Sequence, residues 1–197
     1  MPPIVCLASE SPRRHELLKQ LGVAHIVSPA DVDETPRDDE SPMDYVLRLS
    51  REKASRVFHD SVRSQGLPVL GADTTVVANE RILGKPADFE ESRAMLTLLS
   101  GRVHSVLSAV SLITSAGLSS RLSMTVVRFR AISDAEIEAY WATGEPCDKA
   151  GAYAIQGIGA AFVESIAGSY SGVMGLPLFE TSQLLVDAGL PLWHRAP

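Results

Sequence analysis

"VHSVLSAVSLITSAGLSSRLSMTVVRFRAI", Val103 to Ile132, decides what kind of sheet this chain can build. Two β-rich segments, Val103 to Ser115 and Ser119 to Ile132, are joined only through the few residues around Gly117. A parallel neighbour needs a crossover of about a dozen residues or more, so these two segments are expected to pair antiparallel. Around them strands and helices alternate. The apolar run Ile4 to Ala8 reads as a strand, and Leu17, Leu18 and Leu21 recur with helical spacing. A short strand follows near His25 to Ser28, and Ser41, Pro42 and Asp44 open a helix running to about Asp60. Val69 to Ala72 and Thr74 to Ala78 read as strand, with "NERILG" as a turn and return. Asp88 with Glu91 caps a helix that ends near Ser100 and Gly101. Beyond Ile132, Ser133 with Glu136 marks a capping box whose helix stops at Gly144. A Gly-rich stretch, a strand at Ala161 to Ile166 and a helix from about Pro177 to Ala188 complete the order. An antiparallel pair inside such an alternation predicts an α/β fold with a mixed sheet flanked by helices.

Length and composition bound the class. At 197 residues, 45% hydrophobic and 21% charged, the chain is expected to form one soluble domain over residues 1–197. A net charge of -6 argues against nonspecific nucleic-acid binding but leaves room for a local cationic pocket. Cys6 and Cys147 suggest neither a disulfide framework nor a zinc site, and Cys6 is expected simply to pack in its strand. The start lacks the pattern of a signal peptide, and no apolar run reaches about 18 residues, so the expectation is a cytoplasmic protein with no membrane partner.

Four features carry candidate chemistry. In "LASESPRRHELLKQL", Ser11 is the expected N-cap and Pro12 the first helical residue, which puts Arg13 and Arg14 in the first turn. Cations there oppose the helix dipole by a few tenths of a kcal/mol each, a conflict that an anion would remove. The helix start, Ser9, Ser11 and two guanidiniums form a phosphate or carboxylate cradle in outline. Taken by themselves, these residues read as solvated surface arginines. Lys53 falls on the apolar arc of Val46, Leu47, Leu49, Ala54, Val57 and Phe58, and either snorkels at the stripe's edge or points into a cleft. In "VLGADTTV", Asp73 and Thr74 follow an apolar strand, the place from which α/β folds offer polar groups to a ligand. Asp73 suits a divalent metal or proton abstraction from water; alternatively it only forms a turn. The loop "DVDETPRDDE" reads as a solvated acidic loop, yet it supplies Asp33 and Glu34, and Glu34 with Asp73 is a candidate metal pair. The P-loop pattern is absent, "GIGAAF" lies far from the first strand, "GSYSG" has Tyr170 where a nucleophile elbow needs Ser, and "HELLK" lacks a second zinc histidine.

Together "SESPRR", "GADT", "GKP" at Gly84 to Pro86, "SGRVHSV" at Ser100 to Val106 and "GEPCDKAGAYAIQGIGAAFVESIAGSYSGVMGLPL" closely resemble the Maf family of nucleoside triphosphate pyrophosphatases. The match spans nearly the whole chain, and it reverses the reading of the arginines as merely solvated. It implies a long mixed, twisted sheet flanked by helices, in two lobes with a central cleft, similar to inosine triphosphate pyrophosphatases. The implied activity is hydrolysis between the α and β phosphates, with a divalent cation, Mg²⁺ or Mn²⁺, as cofactor. Carried over by residue, Asp73 matches the catalytic acid-base position, and Arg13, Thr74 and Gln156 match positions that govern substrate choice. Ser9, Arg14, Lys53 and Lys85 are the remaining substrate-binding candidates, and Glu34 joins Asp73 for the metal. The "AYAIQG" form resembles the branch acting on dTTP and UTP rather than the branch acting on 7-methyl-GTP. Glu10 beside the arginines and Leu107 with Ser108 depart from the family's pattern. A homodimer is implied too. The alternatives are turnover of a modified nucleotide, or a nucleotide-binding regulator of cell division without relevant turnover.

Overall fold

Strand β3, Val69–Ala78, is the spine of the molecule, and its two edges are treated differently. On one edge it pairs antiparallel with β5, Val103–Thr114, continuously from Val69 to Val77. On the other it meets two short strands in turn. The parallel strand β1, Val5–Leu7, reaches only to Leu70, and the antiparallel strand β4, Arg81–Leu83, begins only at Val76. Residues 71–75 therefore have no strand neighbour on that edge, and the sheet is split where Asp73 and Thr74 lie.

The computed structural model describes residues 2–193, so Met1 and residues 194–197 of the expected domain lie outside the described residues. The sheet has seven strands. With β2, His25–Val27, β6, Gly117–Phe129, and β7, Val163–Ala167, the order is β2-β1-β3-β5-β6-β7, with β4 beside β3. β1, β2 and β3 run parallel and the rest antiparallel, so the mixed sheet expected from Val103 to Ile132 is the one observed. Two expected strands, Val69 to Ala72 and Thr74 to Ala78, are one uninterrupted strand, because pairing to β5 runs straight through Asp73.

Alternation along β3 sends Val69, Gly71 and Asp73 to one face and Leu70, Ala72 and Thr74 to the other. The first face is covered by α2, Pro42–Phe58, whose Val46, Leu49, Ala54 and Val57 are buried. The opposite face carries α1, Pro12–Gln20, and α7, Leu178–Asp187, at one end, around Leu17, Leu18, Leu70, Leu112 and Leu185. At its other end α4, Phe89–Leu99, and α5, Asp134–Ala142, enclose Leu96, Val127, Phe129, Ile137 and Phe162. Two short helices, α3, Ser61–Ser64, and α6, Tyr170–Met174, escape the periodicity, being too brief to show a helical repeat. Among the described residues no helix is long and apolar enough to cross a membrane.

Two internal contacts are sharply constrained. A Cβ on Gly71 would lie 2.2 Å from the Ser50 carbonyl oxygen and 2.6 Å from the Ala54 amide nitrogen, so α2 rides directly on the β3 backbone. His104 on β5 is 3% exposed, its Nε2 lies 2.9 Å from the Tyr153 hydroxyl, and its Nδ1 is buried without a partner. Burial pushes its pKa down from 6.5 to about 4.

Gly71→Ala is accordingly expected to cost about 1–3 kcal/mol, since backbone rather than a flexible side chain must give way, read as a lower urea midpoint at unchanged slope. The His104 shift has a definite sign. Between pH 6.5 and about 4 the unfolded chain binds the additional proton, so stability falls as pH is lowered through that window. The loss from this residue reaches up to about 3 kcal/mol, and denaturant titrations across the window should show a shallower fall in His104→Gln.

Candidate active site

A cavity of about 830 Å³ opens at the interruption beside β3. β1 stops opposite Leu70, and the chain leaves it through Ser9 into α1, which brings Ser9, Arg13 and Arg14 to the opening. From the other lobe come Lys85 after β4 and the segment from Asp148 to Gln156. All nine residues singled out from sequence, Ser9, Arg13, Arg14, Glu34, Lys53, Asp73, Thr74, Lys85 and Gln156, line this one cavity.

At its floor is Lys53. Its Nζ lies 2.7 Å from Asp73 Oδ1 and 2.6 Å from Glu34 Oε1, which resolves the choice between snorkelling and cleft in favour of the cleft. The lysine side chain is 8% exposed and that of Asp73 9%, while Glu34 is half exposed at 50%. Burial raises the pKa of Asp73, and the charges of Lys53 and Arg14 pull it back without cancelling the rise. For Glu34 burial also pushes upward, but there the hydrogen bond and charge of Lys53, with Lys85 and Arg14, outweigh it and leave the pKa lowered. Two carboxylates on one ammonium thus differ in basicity because one is sealed and the other wet.

The two arginines differ in their partners. Arg14 is half-buried, donating from Nε to the Gly175 carbonyl at 2.8 Å and from Nη1 to Ser9 Oγ at 3.3 Å. Burial lowers its pKa and Asp73 opposes the change. Arg13, its side chain 28% exposed, faces Asp148 across the cleft at 3.7 Å. Ser11 holds the N-cap position as expected, but its side chain makes no capping bond; instead Ser9 Oγ accepts from the Ser11 amide at 3.2 Å. Thr74 Oγ1 is 2.8 Å from Ser108 Oγ and 3.3 Å from the Gly175 carbonyl, and Ser108 donates to the Gly172 carbonyl at 2.6 Å. Lys85 and Gln156 are exposed on the rim.

Sequence reasoning missed several contributors. Lys149 lines the cavity and pairs with Asp148, and its only signal was its place in "DKAG". Gly175, in the same long motif, serves through its carbonyl, which no side-chain pattern displays. The acidic loop is not merely solvated. Arg48 on α2 grips Glu40 with Nε at 2.6 Å and Nη2 at 2.8 Å, and also donates to the Thr35 carbonyl at 3.1 Å. That fork draws the Glu40 pKa down to about 2. Tyr45 donates to the Glu34 carbonyl at 2.9 Å. The loop is thus pinned to the helix that carries Lys53, and the spacing of Arg48 among exposed charges gave no hint of it.

As a metal pair, Asp73 and Glu34 each keep one carboxylate oxygen beyond the one on Lys53. Among the described residues no third His, Cys, Asp or Glu joins them. An oxygen-only pair inside this cavity suits Mg²⁺, which is usually held by one or two carboxylates with substrate phosphates and water. The residues present therefore fit such an ion.

Five cationic side chains, Arg13, Arg14, Lys53, Lys85 and Lys149, face four carboxylates in this cavity, a local positive excess in a chain of net charge -6. Fold and site together define an α/β protein with a cation-lined cleft beside an interrupted sheet edge. The chain belongs to the family described as Maf-like protein, whose model matches residues 4–188. It is 53% identical to a dTTP/UTP pyrophosphatase of Nitrosomonas europaea, covering 96% of both chains. It is likewise 53% identical to that of Alcanivorax borkumensis, over 97% of this chain and 98% of the relative. Against that of Hahella chejuensis it is 50% identical over 95% and 93%. The Ham1 protein of Staphylococcus aureus overlaps 64% of this chain and 71% of its own at 14% identity and a TM-score of 0.42, a likeness too weak to add to the family match.

Arg48→Met should free the acidic loop without unfolding the sheet. Hydrogen exchange of the Arg37 and Glu40 amides, now bonded to Glu40 and the Arg37 carbonyl, should speed up about tenfold or more, with β1 and β3 unchanged.

Proposed function

We propose that this protein hydrolyses dTTP and UTP between the α and β phosphates, releasing the monophosphate and pyrophosphate. The observation that carries the reading is the buried Asp73 held on Lys53 inside a cation-lined cavity, in a chain about half identical, over nearly its full length, to proteins named for that activity. A binding protein without turnover needs the arginines but not a sealed carboxylate of raised pKa, which favours the enzyme over the regulator.

In this reading the triphosphate lies across the cleft. Arg14, pre-set by the Gly175 carbonyl and Ser9, and Arg13 and Lys85 at the mouth take its phosphate oxygens. Asp73 accepts a proton from a water as the water oxygen bonds to the α-phosphorus. The bond from that phosphorus to the bridging oxygen breaks, and the electron pair leaves with pyrophosphate, whose charge the cations stabilise. Lys53 favours the ionised form of Asp73 against its burial, and the raised pKa makes that carboxylate a better base than an exposed one. Asp73 and Glu34 would hold Mg²⁺ or Mn²⁺, which when bound supplies further charge neutralisation at the phosphates. Thr74, on the face opposite Asp73, meets the segment after α6, and Gln156 faces the base. Uracil and thymine offer an N3–H donor beside a carbonyl acceptor, which one amide satisfies, whereas cytosine reverses both. The reading extends to a cytoplasmic homodimer.

Asp73→Asn is expected to lose about 10²-fold or more in turnover while nucleotide affinity and circular dichroism stay near wild type. Near-normal pyrophosphate release in that variant refutes the assignment. Wild-type kcat/KM should rank dTTP and UTP above CTP and GTP; a preference for GTP overturns the base reading.

A further inference from the structure

Gln156 sits on a turn that is held from behind by a single carboxylate. Glu145 Oε1 accepts from the Gly159 amide at 2.9 Å and from the Tyr140 hydroxyl at 2.7 Å, and its Oε2 accepts from the Ile158 amide at 2.9 Å. The same tyrosine oxygen accepts from the Ala154 amide at 3.1 Å. The chain on both sides of Gln156 thus ends on one Tyr–Glu pair, and the tyrosine stands on α5, whose Ile137 and Tyr140 are buried in the core of this lobe. The turn is drawn tight, for a Cβ on Gly157 would lie 2.2 Å from Glu145 Oε2. Glu145 is not among the residues that line the cavity.

We propose that Glu145, braced by Tyr140, is a positioning residue for base selection: its carboxylate sets the turn that presents the Gln156 amide to the nucleobase. The proposal rests on the base reading given above. A carboxylate is suited to the task because it only accepts, and three donors converge on it. Burial works against the charge, but the two amides and the hydroxyl outweigh it and hold the group ionised. The consequence concerns selectivity. A Gln amide in one fixed pose matches N3–H and a carbonyl oxygen. On a turn free to shift, the amide can meet cytosine in the flipped pose, its carbonyl accepting from the amino group and its NH₂ donating to N3. Loosening the turn should therefore erase discrimination rather than abolish turnover.

The test is kcat/KM for dTTP and for CTP in the wild type, Glu145→Gln, Gln156→Ala and the double variant. Glu145→Gln keeps the shape but sets an NH₂ donor against an amide donor, and the dTTP:CTP ratio is expected to fall about tenfold. The double variant should then lose no more selectivity than Gln156→Ala alone, as for residues acting through one contact. Tyr140→Phe, which removes one hydroxyl and covers the case in which Glu145→Gln does not fold, should lower the ratio in the same direction by a few-fold. A uniform loss for both substrates at constant ratio, or additive effects in the double variant, overturns the positioning role. A ratio that falls in Gln156→Ala but in neither Glu145→Gln nor Tyr140→Phe overturns this proposal alone. A ratio unmoved by Gln156→Ala overturns the base reading and this inference with it.

Discussion

The ammonium of Lys53 between Asp73 and Glu34 is the interaction on which the cleft depends. An unpaired charge at that depth is costly, by several kcal/mol per ion even after relaxation, so helix α2, strand β3 and the acidic loop must meet where their three charged groups can share one point. The arrangement also sets the two carboxylates apart. Asp73 is sealed and its proton affinity raised, whereas Glu34 stays wet and its proton affinity lowered.

That meeting point exists because the sheet is interrupted on one edge only. β5 runs unbroken beside β3, while the gap between β1 and β4 leaves five residues of β3 without a strand neighbour on that edge, and three of them, Asp73, Thr74 and Thr75, line the cavity. Gly71 lets α2 approach the strand at backbone distance, and this close seating brings Lys53 down to the floor of the gap. Packing and site are here one constraint.

Both lips of the cleft are tied by the same device, a carboxylate enclosed by donors. Glu40 is gripped by the Arg48 fork on the near side, and on the far side Glu145 gathers two amides and a tyrosine. Loops rich in polar residues have little apolar surface with which to order themselves, so charge-assisted bonds to a rigid helix replace a core. Of the two helices used, α2 is anchored by a buried apolar stripe and α5 by the buried Ile137 and Tyr140.

Much of the fold was legible in the chain itself. Periodicity, capping residues and the short Gly117 connection act over a few positions, and they marked the long helices, the β5–β6 pair and the mixed sheet. Seven of the nine site residues stand in separated motifs that, in a fixed order, resemble a family; Lys53 stood out as a charge on an apolar helix arc, and Glu34 as an acidic-loop carboxylate that could pair with Asp73. What no local pattern expressed was which groups meet. Lys53 reaches Asp73 across 20 positions, Thr74 reaches Ser108 across 34, and Arg14 reaches the Gly175 carbonyl across 161. The Glu40 and Glu145 clasps look in sequence like ordinary surface acids. Local structure follows from backbone propensity and the repeat of apolar side chains, which a sequence displays directly. Proton affinity, burial and the partners of a carboxylate arise only when the folded chain removes water from between residues that were far apart.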